Sequence, residues 1–277
     1  MSVILFTGLV FVGSLAAGFL GSLTGLGGGV VLVPLLAIGF GVDLRYAIGA
    51  SLVSVIATSS GAAAAYVREG YSNIRVGMFL EIATTVGAVA GAFLALIAPS
   101  NLISIIFGVI LIVSAVLSSR KLVDRPGAQS SPLVERLRLD STYPTSTGPQ
   151  AYHVQHLPLG FGLMFIAGIL SGLLGIGSGA FKVLAMDQVM RLPFKVSTTT
   201  SNFMIGVTAA ASAGVYLNRG YIAPTVAMPV MLGVLAGSLV GARVLVSARV
   251  GVLRAIFAVV VFALACEMIY KGVTGDV

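Results

Sequence analysis

Residues 1–40 carry no charged side chain. At about 1.5 Å of rise per residue, that stretch is roughly twice what a helix needs to cross a bilayer. It weakens at Gly25, Gly27, Gly28 and Gly29, which divides it into segments near 3–23 and 28–40. Further apolar runs predict helices near 46–67, 75–98 and 101–118, the last two parted by Pro99, Ser100 and Asn101. A polar stretch, 119–156, follows, and then a second apolar set near 158–177, 179–190, 197–217, 222–242 and 251–270. The segments 28–40 and 179–190 are short for a full crossing, which predicts half-helices or re-entrant hairpins there.

Composition places this pattern in a membrane. Charged residues make up 9% of the 277-residue chain and hydrophobic ones 57%, against roughly 25% charged in a soluble domain. So few charges cannot cover the surface of a soluble fold of this size. Soluble enzymes, nucleic-acid binders and disordered chains are excluded, and an all-α polytopic membrane protein is expected, with no nucleic acid among its partners. The apolar N-terminal stretch lacks a basic n-region, so it reads as a first span rather than a cleaved signal. The single Cys266 rules out an internal disulfide.

Basic residues set the expected sidedness. With loops alternating between two sides, one side receives Arg68, Arg75, Arg120, Lys121, Arg125, Arg136, Arg138, Arg191, Lys195, Arg243, Arg249 and Arg254. The other receives Arg45, Arg219 and Lys271. The richer side should be the cytoplasm, with both termini outside. The expected organisation is a first membrane repeat over 1–118, a cytoplasmic linker over 119–156 and a second membrane repeat over 157–277. The linker, with Pro126, Pro132, Pro144 and Pro149, reads as flexible, with room for a short surface helix around Leu133–Leu139. His153 and His156 have no acidic or cysteine partner close in sequence, so no metal site is expected there.

The chain repeats itself at an offset of 150 residues. Gly25, Gly27 and Gly29 match Gly175, Gly177 and Gly179; Ser51 matches Ser201; Thr58 matches Thr208; Tyr66, Gly70 and Tyr71 match Tyr216, Gly220 and Tyr221. Gly87, Gly91 and Ala92 match Gly237, Gly241 and Ala242, and Arg45 has Lys195 as its basic counterpart. No gap is needed between positions 18 and 92. About five segments per half is an odd number, so the second half enters from the opposite side. That is the inverted-repeat plan of many secondary transporters.

Paired breaks at matching positions point to a binding site. Gly27, Gly28 and Gly29 in one half, and Gly177, Ser178 and Gly179 in the other, let the backbone approach a ligand, and the restarting helix ends favour an anion. The alternative reading is close helix packing. Lys182 falls inside an apolar segment, which makes it a functional candidate by default. It is a candidate anion ligand, or else it pairs with Asp187 or Glu81, or snorkels to the cytoplasmic edge. Its repeat counterpart is Leu32. Thr200, Ser201 and Asn202 open the next span and join Ser51 as ligand candidates. Glu81 and Asp187 are candidates for proton coupling, and Glu267 lies near the outer end of the last span. No Walker loop, catalytic triad or paired carboxylate site appears, so neither an enzyme nor a cofactor is expected.

At Gly25–Pro34, Gly49–Leu52, Gly175–Lys182 and Ser201–Ala210 the sequence resembles the TauE/SafE family of sulfite exporters and toluenesulfonate uptake permeases. The resemblance covers both halves. It implies transport of sulfur-containing anions such as sulfite, sulfoacetate or other organosulfonates. The chain departs from its own repeat at Ser178, opposite Gly28, and at Leu184, opposite Pro34. The expectation is an inner-membrane secondary transporter for small anions, with a passive anion channel or a non-transporting scaffold as alternatives. Its partners are then a small anion and membrane lipid, with a homodimer as the expected assembly.

Overall fold

The computed structural model describes residues 3–24, 28–68, 71–119, 132–145, 148–247 and 250–275. Its first half runs through α1 (Val3–Thr24), α2 (Gly29–Pro34), α3 (Leu44–Arg68), α4 (Ile74–Ile97) and α5 (Ser100–Ser119). Between the halves lie α6 (Pro132–Arg136), β1 (Ser141–Thr145) and β2 (Gly148–Tyr152). The second half holds α7 (Leu157–Leu174), α8 (Gly179–Leu184), α9 (Phe194–Asn218), α10 (Pro224–Ser247) and α11 (Val250–Thr274). Helices α2 and α8 each continue into a π-helical turn, Leu35–Gly39 and Ala185–Val189. One contains Pro34 where the other has Leu184, so proline is not what widens the helix.

Four helices among the described residues are long and apolar enough to cross a membrane: α1, α4, α7 and α10, with mean hydropathy of 1.6–2.1 in their best windows. Helices α3 and α9, at 25 residues each, are as long but carry Ser and Thr along their length. The outward side chains of the apolar helices are themselves apolar. On α4 the stripe Met78, Ile82, Val86, Phe93 and Ile97 is exposed, while Val76, Leu80, Glu81, Thr84, Gly87 and Gly91 face inward. Exposed apolar stripes of this kind suit lipid rather than water. Cys266 lies on the exposed side of α11.

The packing of the two halves is reciprocal. Helix α1 lies against α10, as α7 lies against α4, and α3 packs on α9. Small residues bring the paired backbones together. A Cβ added at Gly87 would strike the Phe165 carbonyl, and one at Gly237 would strike the Leu15 carbonyl, the same contact 150 residues apart. Gly168 against Thr84 and Gly18 against Val234 form a second such pair. At the ends of the bundle, Arg45 stacks over Tyr221 at 5.8 Å and its counterpart Lys195 over Tyr71 at 5.5 Å. Each is a cation–π contact reaching from one half to the other.

The polar stretch between the halves is more ordered than its composition suggests. Short helix α6 falls where a surface helix was expected. The antiparallel pair β1–β2, with Pro144 opposite Pro149, was not expected. Val134, Leu139, Tyr152 and Val154 bury themselves against Val76, Met186, Met190 and Val196, and that apolar burial supplies the order a flexible linker would lack. The hairpin also gives His153 a partner. Its Nδ1 lies 3.0 Å from Asp140 Oδ2, a partner 13 residues away that only the hairpin brings close. The first part of the stretch, 120–131, lies outside the described residues.

Candidate functional site

Gly29, at the start of α2, packs on the glycine break of the second half. A Cβ on Gly29 would lie 3.0 Å from the Gly175 carbonyl oxygen and 3.2 Å from the Ile176 Cα. Ser51 Oγ donates to the Gly175 carbonyl at 2.8 Å, tying α3 of the first half to the break of the second. Its counterpart Ser201 donates to the Gly179 carbonyl at 3.3 Å. Gly175 and Gly177 take φ of 68° and 72°, which only glycine adopts without strain, so the chain can turn sharply from α7 into α8. Ser178 follows at φ 46°, also left-handed, with its hydroxyl buried and unpartnered among the described residues. Gly28 is right-handed and packs on Val234. Gly27 lies outside the described residues.

Helix α8 starts at this turn and points Lys182 into the bundle. The side chain is fully buried, so it does not snorkel. Its Nζ donates to Thr208 Oγ1 on α9 at 2.5 Å. The Thr208 hydroxyl in turn donates to Glu81 Oε1 on α4 at 2.6 Å. Thr85 Oγ1, one turn along α4, also donates to Glu81 Oε1, at 3.1 Å. Glu81 Oε2 is buried without a hydrogen-bond partner among the described residues. Three helices from both halves thus build one ionic cluster, Lys182–Thr208–Glu81, in which a hydroxyl stands between opposite charges. Thr208 is the single hydrogen-bond acceptor of Lys182 among the described residues, and an ammonium carries three donors. Burying charges with unused donors is costly, which makes the cluster a functional candidate.

The other candidates divide. Asp187 is buried in the π-helical turn after α8 and accepts from Gln188 Nε2 at 2.5 Å. Thr200 is committed elsewhere: its Oγ1 accepts the Asn73 backbone N–H at 3.0 Å. Asn73 also caps α4 through its Oδ1 and donates to Leu139 O and the Tyr152 hydroxyl, at 2.9 and 2.7 Å. Thr200 therefore helps fasten the interhelical hairpin to the bundle. Ser201 is buried and Asn202 half-buried on α9, one to two turns before Thr208. Glu267 is exposed on α11. Sequence reasoning passed over Thr208 and Thr85 as ligands of the cluster. The available signal was the repeat match of Thr208 to Thr58, which showed the hydroxyl was kept in both halves but not what it bonds.

Apolar helices in two like halves, lipid-suited outer faces and an ionic cluster held inside define a membrane protein with a polar site in its interior. Comparison with known proteins names the group. The chain belongs to the sulfite exporter TauE/SafE family, a family of membrane transporters, whose sequence profile matches residues 10–268. It is 28% identical over 266 residues to the probable membrane transporter protein YunE of Bacillus subtilis strain 168, covering 94% of this chain and 96% of that one. It is 27% identical over 236 residues to the probable membrane transporter protein YdhB of the same organism, covering 85% and 87%. To the probable membrane transporter protein ORF9 of Sinorhizobium sp it is 24% identical over 262 residues, covering 94% and 91%. No solved structure matches the chain.

Proposed function

We propose that this protein is a secondary transporter that moves small sulfur-containing anions, such as sulfite, sulfoacetate or another organosulfonate, across the cytoplasmic membrane. The observation that carries the anion reading is Lys182, a fully buried ammonium with a single hydroxyl acceptor among the described residues. An oxyanion supplies the acceptors its remaining donors need. Ser178, four residues before Lys182, has a buried hydroxyl with no partner among the described residues, a further donor for an anion at this turn.

The mechanism follows from the repeat. Each half presents a glycine break and a short helix, and the packing between halves is reciprocal at glycine contacts and at cation–π contacts. In an inverted arrangement, rocking one half against the other exposes the cluster to each side in turn, which is alternating access. The two breaks then act as re-entrant tips on either side of the anion. The basic-residue bias supports a cytoplasmic 119–156 and termini outside. Nothing in this mechanism calls for an enzyme's chemistry: the cluster holds and releases an ion.

The test is thermal stability of the purified protein with sulfite, sulfoacetate, taurine, sulfate and chloride. A ligand at about a hundred times its Kd stabilises the folded state by about 2.7 kcal/mol. A selective shift with one sulfur anion, lost in Lys182→Met, is expected. No shift with any anion overturns the anion reading. Saturable counterflow in proteoliposomes is expected for a transporter, and large single-channel currents would make it a channel instead.

A further inference from the structure

We propose that Glu81 is the proton carrier of this transporter and competes with the anion for Lys182 through Thr208, so that one proton travels with each singly charged anion. The inference rests on the reading of Lys182 as the anion's ligand. It begins from charge balance. Without an anion, the ammonium of Lys182 and the carboxylate of Glu81 share Thr208 and cancel. An anion arriving at Lys182 leaves Glu81 as an excess negative charge in a low-dielectric interior, where it is strongly unfavourable. A proton from water on Glu81 restores the balance.

The geometry shows where that proton goes and what yields to it. Glu81 Oε1 is occupied by two donors, Thr208 and Thr85, while Oε2 is buried and has none among the described residues. The proton adds to Oε2, making an O–H bond and breaking none in the protein. Neutral Glu81 is a weaker acceptor, so Thr208 is released from it. The Met204 carbonyl is already 2.9 Å from Thr208 Oγ1, a second acceptor within reach of the same hydroxyl proton. Turning to Met204 frees the hydroxyl from its bridging role and leaves Lys182 to the anion. Loss of the proton on the other side reverses each step and expels the anion.

The repeat supplies an internal control. The positions equivalent to Lys182 and Glu81 are Leu32 and Met231, so the fold is built there without charge. Thr58, the counterpart of Thr208, turns back to its own helix and donates to Ser54 O and Val55 O, at 3.1 and 3.2 Å. A charged cluster in only one half is therefore not a requirement of the architecture. Other titratable groups near the cluster are engaged elsewhere. Asp187 accepts from Gln188, and Tyr216 on α9 donates to Gly172 O at 3.2 Å. Lys195, 13 residues before Thr208, sits over Tyr71. Arg75, at the start of α4, donates to Arg138 O at 3.2 Å, and the His153–Asp140 pair lies beyond that end. Helices α5 and α7 bring no titratable side chain to the cluster among the described residues.

The experiment is calorimetric binding of methanesulfonate and of ethanesulfonate, both singly charged, to the purified full chain, in buffers of different ionisation enthalpy. The charge of methanesulfonate does not change between about pH 5.5 and about pH 8.5, so any pH dependence belongs to the protein. Expected for the wild type is uptake of about one proton per anion wherever Glu81 is ionised, with affinity falling about tenfold per pH unit there. Expected for Glu81→Gln is no proton uptake and an affinity that holds its acid-side value at all pH. Asp187→Asn should behave as the wild type. The double variant Glu81→Met with Lys182→Leu, which copies the first half's chemistry, should fold and bind neither anion. Wild-type binding without proton uptake, or proton uptake that survives Glu81→Gln, overturns the coupling and leaves the anion site standing. No binding of either anion by folded wild type at any pH overturns the anion site, and the coupling with it.

Discussion

Ser178 is held in a conformation that serine disfavours, with a hydroxyl that bonds to nothing described. Its backbone is left-handed at φ 46° and ψ 29°, and its Oγ is buried. The left-handed region costs a residue with a Cβ roughly 1–2 kcal/mol, and an unsatisfied buried hydroxyl costs about 1–3 kcal/mol. Replacing it with alanine keeps the strain and removes the orphan hydroxyl, so Ser178→Ala should stabilise the ligand-free protein by about 1 kcal/mol. Glycine removes the strain as well but gives back about 0.5–1 kcal/mol through the greater freedom of the unfolded chain. Ser178→Gly is therefore expected to exceed Ser178→Ala slightly, at about 1–2 kcal/mol above wild type. At about 2–4 °C per kcal/mol for a chain of this size, the melting point should rise by roughly 2–8 °C. The assay is thermal melting in detergent, with and without a saturating sulfur anion. With the anion present the order should compress, since the wild-type hydroxyl then gains a partner. Its loss should weaken binding about fivefold, equal to about 1 kcal/mol. The reasoning is refuted if Ser178→Ala lowers the ligand-free melting point, because the hydroxyl is then satisfied, or if neither variant changes affinity.

Three further predictions concern hydroxyls in different parts of the chain. Thr208→Val should cut proteoliposome uptake at least tenfold while Thr208→Ser retains it, because only the hydroxyl joins Lys182 to Glu81. Thr58→Val, whose hydroxyl bonds only its own helix, should transport normally and lose less than about 1 kcal/mol of stability. In the hairpin, burial pushes the Tyr152 phenol up to about 12, although the Asn73 side chain acts against the shift. The folded state then keeps a proton that the unfolded chain releases near pH 10. Stability from this group is whole below about pH 10 and falls by about 1.4 kcal/mol per pH unit up to about pH 12. Alkaline melting curves of wild type against Tyr152→Phe should show that loss only in the wild type.

The fold was largely legible because lipid makes strong demands on sequence. Uncharged stretches of helix length and a gapless offset of 150 located the helices to within a few residues, including the short segments after each glycine break. The π-helical turns were not legible, since Pro34 and Leu184 precede them alike. The hairpin was missed for a physical reason. Prolines are confined to strand edges and ends, and Pro144 and Pro149 sit opposite each other in a ladder with no third strand. Asp140 and His153 could not be paired without it. At the site, Lys182 stood out as a charge in an apolar run, but its partners did not. Glu81 and Thr208 lie 127 residues apart and meet only because α4 of one half packs on α9 of the other.

The contrast between the two halves separates what the architecture needs from what the site needs. The repeat keeps the glycine contacts, the reciprocal cation–π pairs and a threonine at 58 and 208 in both halves. These belong to packing, and a duplicated fold has use for them twice. It keeps Lys182 and Glu81 once, with Leu32 and Met231 opposite them. Burying an ion pair often costs more than packing apolar side chains of similar size, and the apolar version is present in the same chain as proof that the backbone accepts it. The charged version therefore persists against the pull of stability. A single cluster also gives a transporter one load per cycle, whereas a charged pair in each half would place two sites within one bundle. If the charges served stability alone, Glu81→Met with Lys182→Leu would melt lower than wild type. The expected result is a melting point equal to or above it, with binding gone.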